Sequence, residues 1–276
     1  MVSDSKVINS ILAAVTLVLI LLSFHQAVAK TDYSTDPIIT ILPYDAIPAV
    51  INPSFVTTDE AELAQDSPVI GVSLNDESHA YSIHLLNGHE IVNDQVGGIP
   101  IATTWWPLCN TAIVYGREID GLTYTFGVSG KLWRDALLMY DHQTVVTHYT
   151  GQAVKGASQG KQLQVLVSMP KIAWWLWKAN YPETKVLSVA NNTDSPGQHR
   201  GNEVHDRYQQ YHQSSSAGVS QTQYTDSRLK NKEQVVGIRI NEDYRAYPFL
   251  LSKKNQLSMI SSTKPLFWFS ITKTQG

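Results

Sequence analysis

Val69-Ile70-Gly71-Val72-Ser73-Leu74-Asn75, with Ala80-Tyr81 behind it, returns as Val235-Val236-Gly237-Ile238-Arg239-Ile240-Asn241, with Ala246-Tyr247 behind it. The spacing is the same in both. Each copy reads as an apolar β-prone run, an Asn-containing turn and a second run, so the chain is predicted to carry a duplicated β-hairpin unit. The two copies lead into different sequence. The first continues into His89-Glu90-Ile91-Val92-Asn93-Asp94, whereas the second runs on through Ser252–Met259 without any His or Cys. Chemistry, if the chain performs any, therefore belongs to the first copy.

Around that copy, Val69 to Tyr149 alternates short β-prone runs with turn signals, the pattern of an antiparallel meander. Gly97-Gly98 lies between Glu90–Val92 and Ile99–Thr104, and Asp120-Gly121 lies between Thr111–Ile119 and Leu122–Val128. Both dipeptides suit two-residue hairpin turns, because those turns require positive φ. Ala136–Tyr140 and Val145–Tyr149 read as a further pair. One clear helix is predicted over Lys171–Asn180, with Pro170 in its first turn and Pro182 ending it. Trp174, Trp177 and Tyr181 then share a face that is read as core. A second short helix is expected over Asp59–Gln65, capped by Thr57 or Thr58. The fold class is thus α+β and β-rich.

The N-terminus reads as a secretory signal peptide. Ile11 to Phe24 is almost unbroken aliphatic, too short for a spanning helix, and Ala27-Val28-Ala29 fits cleavage before Lys30. Asp4 offsets Lys6, so an uncleaved N-terminal anchor is the alternative. Residues 1–29 are then signal, 30–44 an extension and 45–276 a single domain exported to the periplasm, cell surface or medium. A formal charge of −3 provides no basic field for nucleic acid. The single cysteine, Cys109, rules out an intramolecular disulfide. Asn191 to Gln234 is polar and poor in aliphatics, yet Tyr208, Tyr211 and Tyr224 are more anchors than a flexible linker needs. Asn191-Asn192-Thr193 is a formal glycosylation sequon.

Several motifs occur in a fixed order: Asp45-Ala46-Ile47-Pro48, Asn52-Pro53-x-Phe55, His89 through Asp94, Pro107-Leu108-Cys109, Phe126-Gly127-Val128-Ser129-Gly130 and Met139-Tyr140-Asp141. Thr150-Gly151-Gln152-Ala153, Trp174, Trp177, Tyr181-Pro182, Lys185-Val186-Leu187-Ser188, Asp226-x-Arg228-Leu229 and Ala246-Tyr247-Pro248 continue the series. In this the chain resembles the domain of unknown function 3179 family, from about Asp45 to Pro248. The resemblance implies that the polar stretch is an ordered, irregular part of the domain. Family members often carry Cys-Pro-Leu-Cys, and some relatives are selenoproteins, which implies thiol or selenol chemistry. Here Trp106 stands at the first of those positions and only Cys109 remains. The family's Trp-x-Gln stretch after Met-Tyr-Asp is also altered, with His148 nearby, and the second repeat reads as curtailed after Pro248.

Cys109 is the first candidate site residue, either a small buried hydrophobe or a reactive thiol, which needs a low pKa and some exposure. Without a resolving cysteine, its redox chemistry is limited to a mixed disulfide or a sulfenate. His89 is either a general base or ligand, or a structural histidine bonded to Glu90 or Asp94. Catalytic candidates are Cys109, His89 and Asp141, the last orienting His89 or His142. A Zn or Cu ion would draw on His89, Cys109 and Asp94, with Asp141 or His148 completing the sphere. No compact metal spacing is present. His199, His205 and His212 read as surface residues, and Ser129 lacks the last glycine of a nucleophile elbow. Two functions stand side by side. One is a thiol- or metal-dependent envelope protein with its site at His89 and Cys109. The other is a non-catalytic module that holds a ligand or partner in an aromatic cleft around Trp105, Trp106 and Trp133.

Overall fold

The computed structural model describes residues 37–133, 135–143, 147–149, 151–156, 158–188, 208–219, 227–233, 235–240 and 243–248. The expected signal peptide, the sequon, His199 and His205 lie outside them. In chain order the strands are β1 (Ile38–Thr40), β2 (Ser54–Val56), β3 (Pro68–Leu74), β4 (Glu77–Ser82), β5 (Ile91–Val96), β6 (Ile99–Trp106) and β7 (Thr111–Gly116). Then come β8 (Glu118–Ile119), β9 (Leu122–Thr123), β10 (Phe126–Trp133), β11 (Ala136–Asp141), β12 (Thr147–Tyr149) and β13 (Gln152–Lys155). The last are β14 (Met169–Ala173), β15 (Lys185–Ser188), β16 (Val235–Ile240) and β17 (Asp243–Pro248). Three short helices, α1 (Ile83–Leu86), α2 (Trp174–Asn180) and α3 (Gln209–Gln213), complete the described elements. The fold is β-rich α+β, as the sequence predicts.

The duplicated hairpin is real at the level of register. Val69, Gly71 and Leu74 face Ser82, Ala80 and Glu77 across β3–β4. Val235, Gly237 and Ile240 face Pro248, Ala246 and Asp243 across β16–β17, the same pairing residue for residue. The other expected turns also form. Val96 pairs with Ile99 around Gly97 (φ 56°) and Gly98 (φ 80°), and Ile119 pairs with Leu122 around Asp120 (φ 52°) and Gly121 (φ 76°). Positive φ at both central residues gives the turn whose twist matches paired strands.

Three of the five sheets among the described residues stack with α2. One has the order β14-β3-β4-β15-β2, with β15 parallel to β4; the second is β5-β6-β7; the third is β1-β10-β11-β12-β13. Period-two alternation assigns each side chain to an interface. Val69 and Ala80 pack with Trp174, Trp177 and Val186 on the α2 side. Ile70, Val72 and Tyr81 face Val92, Val96, Ile101 and Trp105 of the second sheet. Its opposite face, including Ile91, Ala102 and Tyr115, meets Phe126, Val128 and Met139 of the third. The β5-β6-β7 sheet is therefore covered on both faces.

Two expectations are corrected. The helix begins at Trp174, because residues 169–173 form a strand on the edge of β3. The register shifts between Met169 and Ile172, so Pro170 falls where the ladder is already irregular and its missing N–H is tolerated. Asp59–Gln65 is not helical: a turn at Thr58–Glu60 gives way to irregular chain over Ala61–Ala64. Glu60 accepts from the Thr57 amide (3.0 Å) and hydroxyl (2.9 Å), but the start signal is followed by one α-type bond, Ala61 N to Thr57 O. Within the expected extension, residues 30–44, β1 pairs with β10 of the third sheet. Elsewhere the aromatic face of α2 is core, as predicted: Trp174 and Trp177 are buried and Tyr181 packs 4.1 Å from the Trp177 ring. No described helix is long and apolar enough to cross a membrane.

Candidate functional site

Strand β5 sends polar groups into both of its interfaces. Toward the first sheet points Asp94, whose Oδ2 accepts from Tyr81 Oη (2.6 Å) and contacts His79 Nδ1 (2.7 Å). The same carboxylate accepts the Gln95 amide (2.7 Å) on Oδ1. His79 Nε2 lies 3.1 Å from Glu77 Oε1, so one imidazole bridges two carboxylates. Lys185 (2.5 Å) and the Gly97 amide (2.7 Å) complete the Glu77 shell, and Lys185 foremost holds its carboxyl down at about 2. Burial, then the Asp94 charge, drives the Tyr81 hydroxyl well above its usual range. In a buried interface such a network is stable only when fully bonded, as this one is. Toward the third sheet points Asn93, which accepts from the Phe126 amide (2.7 Å) and donates to its carbonyl (2.8 Å).

At the head of β5 the backbone is strained. Glu90 has φ 61°, and Ile91 N donates to His89 O across it at 2.6 Å, a γ-turn of the rare positive-φ kind. Glu90 is fully buried, and neither carboxyl oxygen has a hydrogen-bond partner among the described residues. Burial raises its carboxyl to about 8. His89, also buried, donates from Nδ1 to Pro48 O (2.7 Å). The bond goes to the Asp45–Pro48 motif and not to Glu90 or Asp94. Asp141, at the end of β11, is completely buried. Tyr140 beside it donates to Asp45 Oδ2 and stacks on His142 (5.0 Å), and burial raises its hydroxyl, with Asp45 adding to the effect. The family-like motifs therefore meet one another in the core.

Cys109 lies elsewhere, in the turn between β6 and β7. The residue is exposed, but its sulfur turns toward Asp135 O, 3.9 Å away, and Trp106 Nε1 donates to that same carbonyl (2.7 Å). Shielding from solvent raises the thiol, with the Asp135 charge next in effect. A cavity of about 220 Å³ opens here, walled by Trp105, Trp106, Tyr115, Leu137 and Met139, with Cys109 among its lining. Part of the polar segment braces the site. Tyr211 Oη donates to Leu108 O (3.2 Å) and accepts from Gly218 N (2.9 Å), and Val219 N donates to Asp135 Oδ1 (2.9 Å).

The structure thus separates the predicted residues. Trp105, Trp106 and Cys109 share one cavity, while Trp133 is absent from its lining and Tyr115 and Met139 take part. His89, Cys109 and Asp94 form no common group, and no three His, Cys, Asp or Glu side chains among the described residues are placed to hold a metal ion. The reason is local: Asp94 is occupied by His79 and Tyr81, and His89 is turned to Pro48. His148 stands opposite Met139 in the β11–β12 pair. Ser129 donates to Leu138 O within the β10 irregularity, which supports a bulge and not a nucleophile. Sequence reasoning misses His79 and the isolation of Glu90, because no local motif marks either.

Fold and site together define a β-rich domain with motifs knitted into its core and an aromatic cavity at a cysteine turn. The chain matches the family model described as protein of unknown function (DUF3179) over residues 44–274, and it belongs to that family. The match continues beyond Pro248, farther than the ordered motifs reach. No curated protein and no solved structure matches it.

Proposed function

We propose that this chain is an exported binding module of the cell envelope, holding a small and largely apolar ligand in the cleft at Trp105, Trp106, Tyr115 and Met139. The cavity carries the reading: about 220 Å³, mostly aromatic and aliphatic, with a few polar groups (Thr104, Cys109, Thr111) at hand to orient what enters. A raised thiol remains protonated at neutral pH, which suits a polar rim better than a nucleophile. Export rests on the Ile11–Phe24 run and Ala27-Val28-Ala29.

Titration of the purified chain with the neutral fluorophore N-phenyl-1-naphthylamine tests this. Saturable binding should weaken about tenfold in Trp106→Ala, as for an aromatic anchor, and remain unchanged in Cys109→Ser. Absence of saturation, or indifference to Trp106→Ala, overturns the reading.

A thiol function is the second reading. It is favoured by Trp106 and Cys109 converging on one carbonyl, so that the exposed cysteine has a fixed setting. Mixed-disulfide or sulfenate chemistry at Cys109 predicts rapid thiol labelling of the native chain, abolished in Cys109→Ala with the fold retained. A Zn or Cu site at His89, Cys109 and Asp94 lacks comparable support. Total-metal analysis of wild type beside Cys109→Ala decides it, and stoichiometric metal lost in the variant would restore it.

A further inference from the structure

The polar side chains that line the cleft at Trp106 have their donor hydrogens committed to the protein. Thr104 Oγ1 donates to Ile113 O (2.7 Å), and Thr111 Oγ1 donates to Cys109 O (3.0 Å). Trp106 Nε1 donates to Asp135 O (2.7 Å), and Trp105 Nε1 donates to Asn87 Oδ1 (2.7 Å). Shielding from solvent keeps the Cys109 thiol protonated, and its sulfur turns to Asp135 O as well (3.9 Å). These five side chains all belong to the cavity wall, and each directs its hydrogen at a protein oxygen.

What these groups still offer is electron density. A hydroxyl whose hydrogen is engaged keeps lone pairs on its oxygen, and donating strengthens it as an acceptor. Thr104 and Thr111 therefore meet an occupant as acceptors, joined by the thioether of Met139. With their N–H groups engaged elsewhere, the two indoles contribute ring surface, whose face attracts a cation. A polar group that is itself only an acceptor finds no hydrogen on these five residues. Burying an anion against them costs desolvation that they do not offset.

We propose that the occupant of the cleft is an apolar amine, protonated at neutral pH. Its N–H groups point at Thr104 and Thr111 while its hydrocarbon body lies against the indoles. The proposal rests on the cleft reading above and names the class of molecule that the cleft takes.

The test displaces N-phenyl-1-naphthylamine from the purified chain with three molecules of similar shape: 1-naphthylmethylamine, 1-methylnaphthalene and 1-naphthoate. The amine should displace it at a concentration about tenfold lower than the hydrocarbon does, the gain from a hydrogen bond to a charged group, and the carboxylate should be weakest. Thr104→Val should cut the ratio of amine to hydrocarbon affinity about tenfold. Thr111→Val, at an exposed position, reads the same ratio should Thr104→Val fail to fold. Equal affinity for amine and hydrocarbon overturns the proposal, as does tighter binding of the carboxylate or a ratio indifferent to both variants. So does a preference that vanishes at about 0.15 M sodium chloride, the mark of unspecific charge attraction. Failure of the fluorophore to saturate brings down the cleft reading and the proposal with it; saturation without a preference for the amine brings down the proposal alone.

Discussion

The hairpins β3–β4 and β16–β17 are two copies of one unit with one register, yet they live in different company. β3–β4 has β14 on one side and β15 on the other, Trp177 lies across Gly71, and β5 covers its second face. Among the described residues β16–β17 pairs only with itself. The hairpin itself is local, set by two apolar runs and a turn. Burial and chemistry come from what the rest of the chain brings to it. His79 and Tyr81 matter because β5 delivers Asp94 to them. The corresponding positions, Arg245 and Tyr247, lead into Ser252–Met259 and not into a second His-Glu-Ile-Val-Asn-Asp run.

The largest expected effect tests that delivery. Asp94→Ala strands the polar partners His79 and Tyr81 in an apolar interface and should destabilise the chain by about 3–5 kcal/mol in urea unfolding, with Arg245→Ala shifting it by less than about 1 kcal/mol. Comparable losses would show that the second hairpin sits in an equivalent network.

Glu90 sharpens the contrast through pH, since it follows the first hairpin and has no counterpart after the second. Its carboxyl is raised in the fold from 4.5 to about 8, so the native state holds a proton that the unfolded chain releases. Its contribution is fully present below 4.5 and declines as pH rises toward 8, by at most about 1.4 kcal/mol per pH unit. Glu90→Gln should remove that decline and leave the variant more stable than wild type at alkaline pH. An unchanged slope would mean that Glu90 finds a partner in solution.

The smallest expected effect is a matched pair. A Cβ at Gly71 would overlap the Trp177 ring, and Gly71→Ala should destabilise by about 1–3 kcal/mol. Gly237→Ala, at the same register position, should lose less than about 1 kcal/mol by chemical denaturation. Equal losses would place an aromatic ring across the second hairpin too.

Much of the fold was legible for a physical reason: two-residue turns and the repeat are short-range features. Asn75-Asp76, Gly97-Gly98 and Asp120-Gly121 all form tight turns where the sequence places them. The stacking order was not legible, because β14, β15 and β2 reach the first hairpin from remote positions. Lys171–Ala173 has helical spacing with its neighbours, and the free edge of β3 overrides it. The site was half legible. Trp105, Trp106 and Cys109 are close in sequence and share a cavity, whereas Tyr115 and Met139 are gathered only by folding. A motif marks His89 and Glu90 but says nothing of where their side chains are left.

The parallel pairing of β15 with β4 has a consequence in time. Ser188 is the last residue of the sheet that begins at Ser54, and β14 precedes it by only a short helix. During synthesis, the first hairpin can close early, but both flanks stay open until roughly a hundred further residues have emerged. The first half of the chain therefore cannot mature ahead of the second. Any factor that keeps it from premature self-association must hold on until the tryptophan helix arrives.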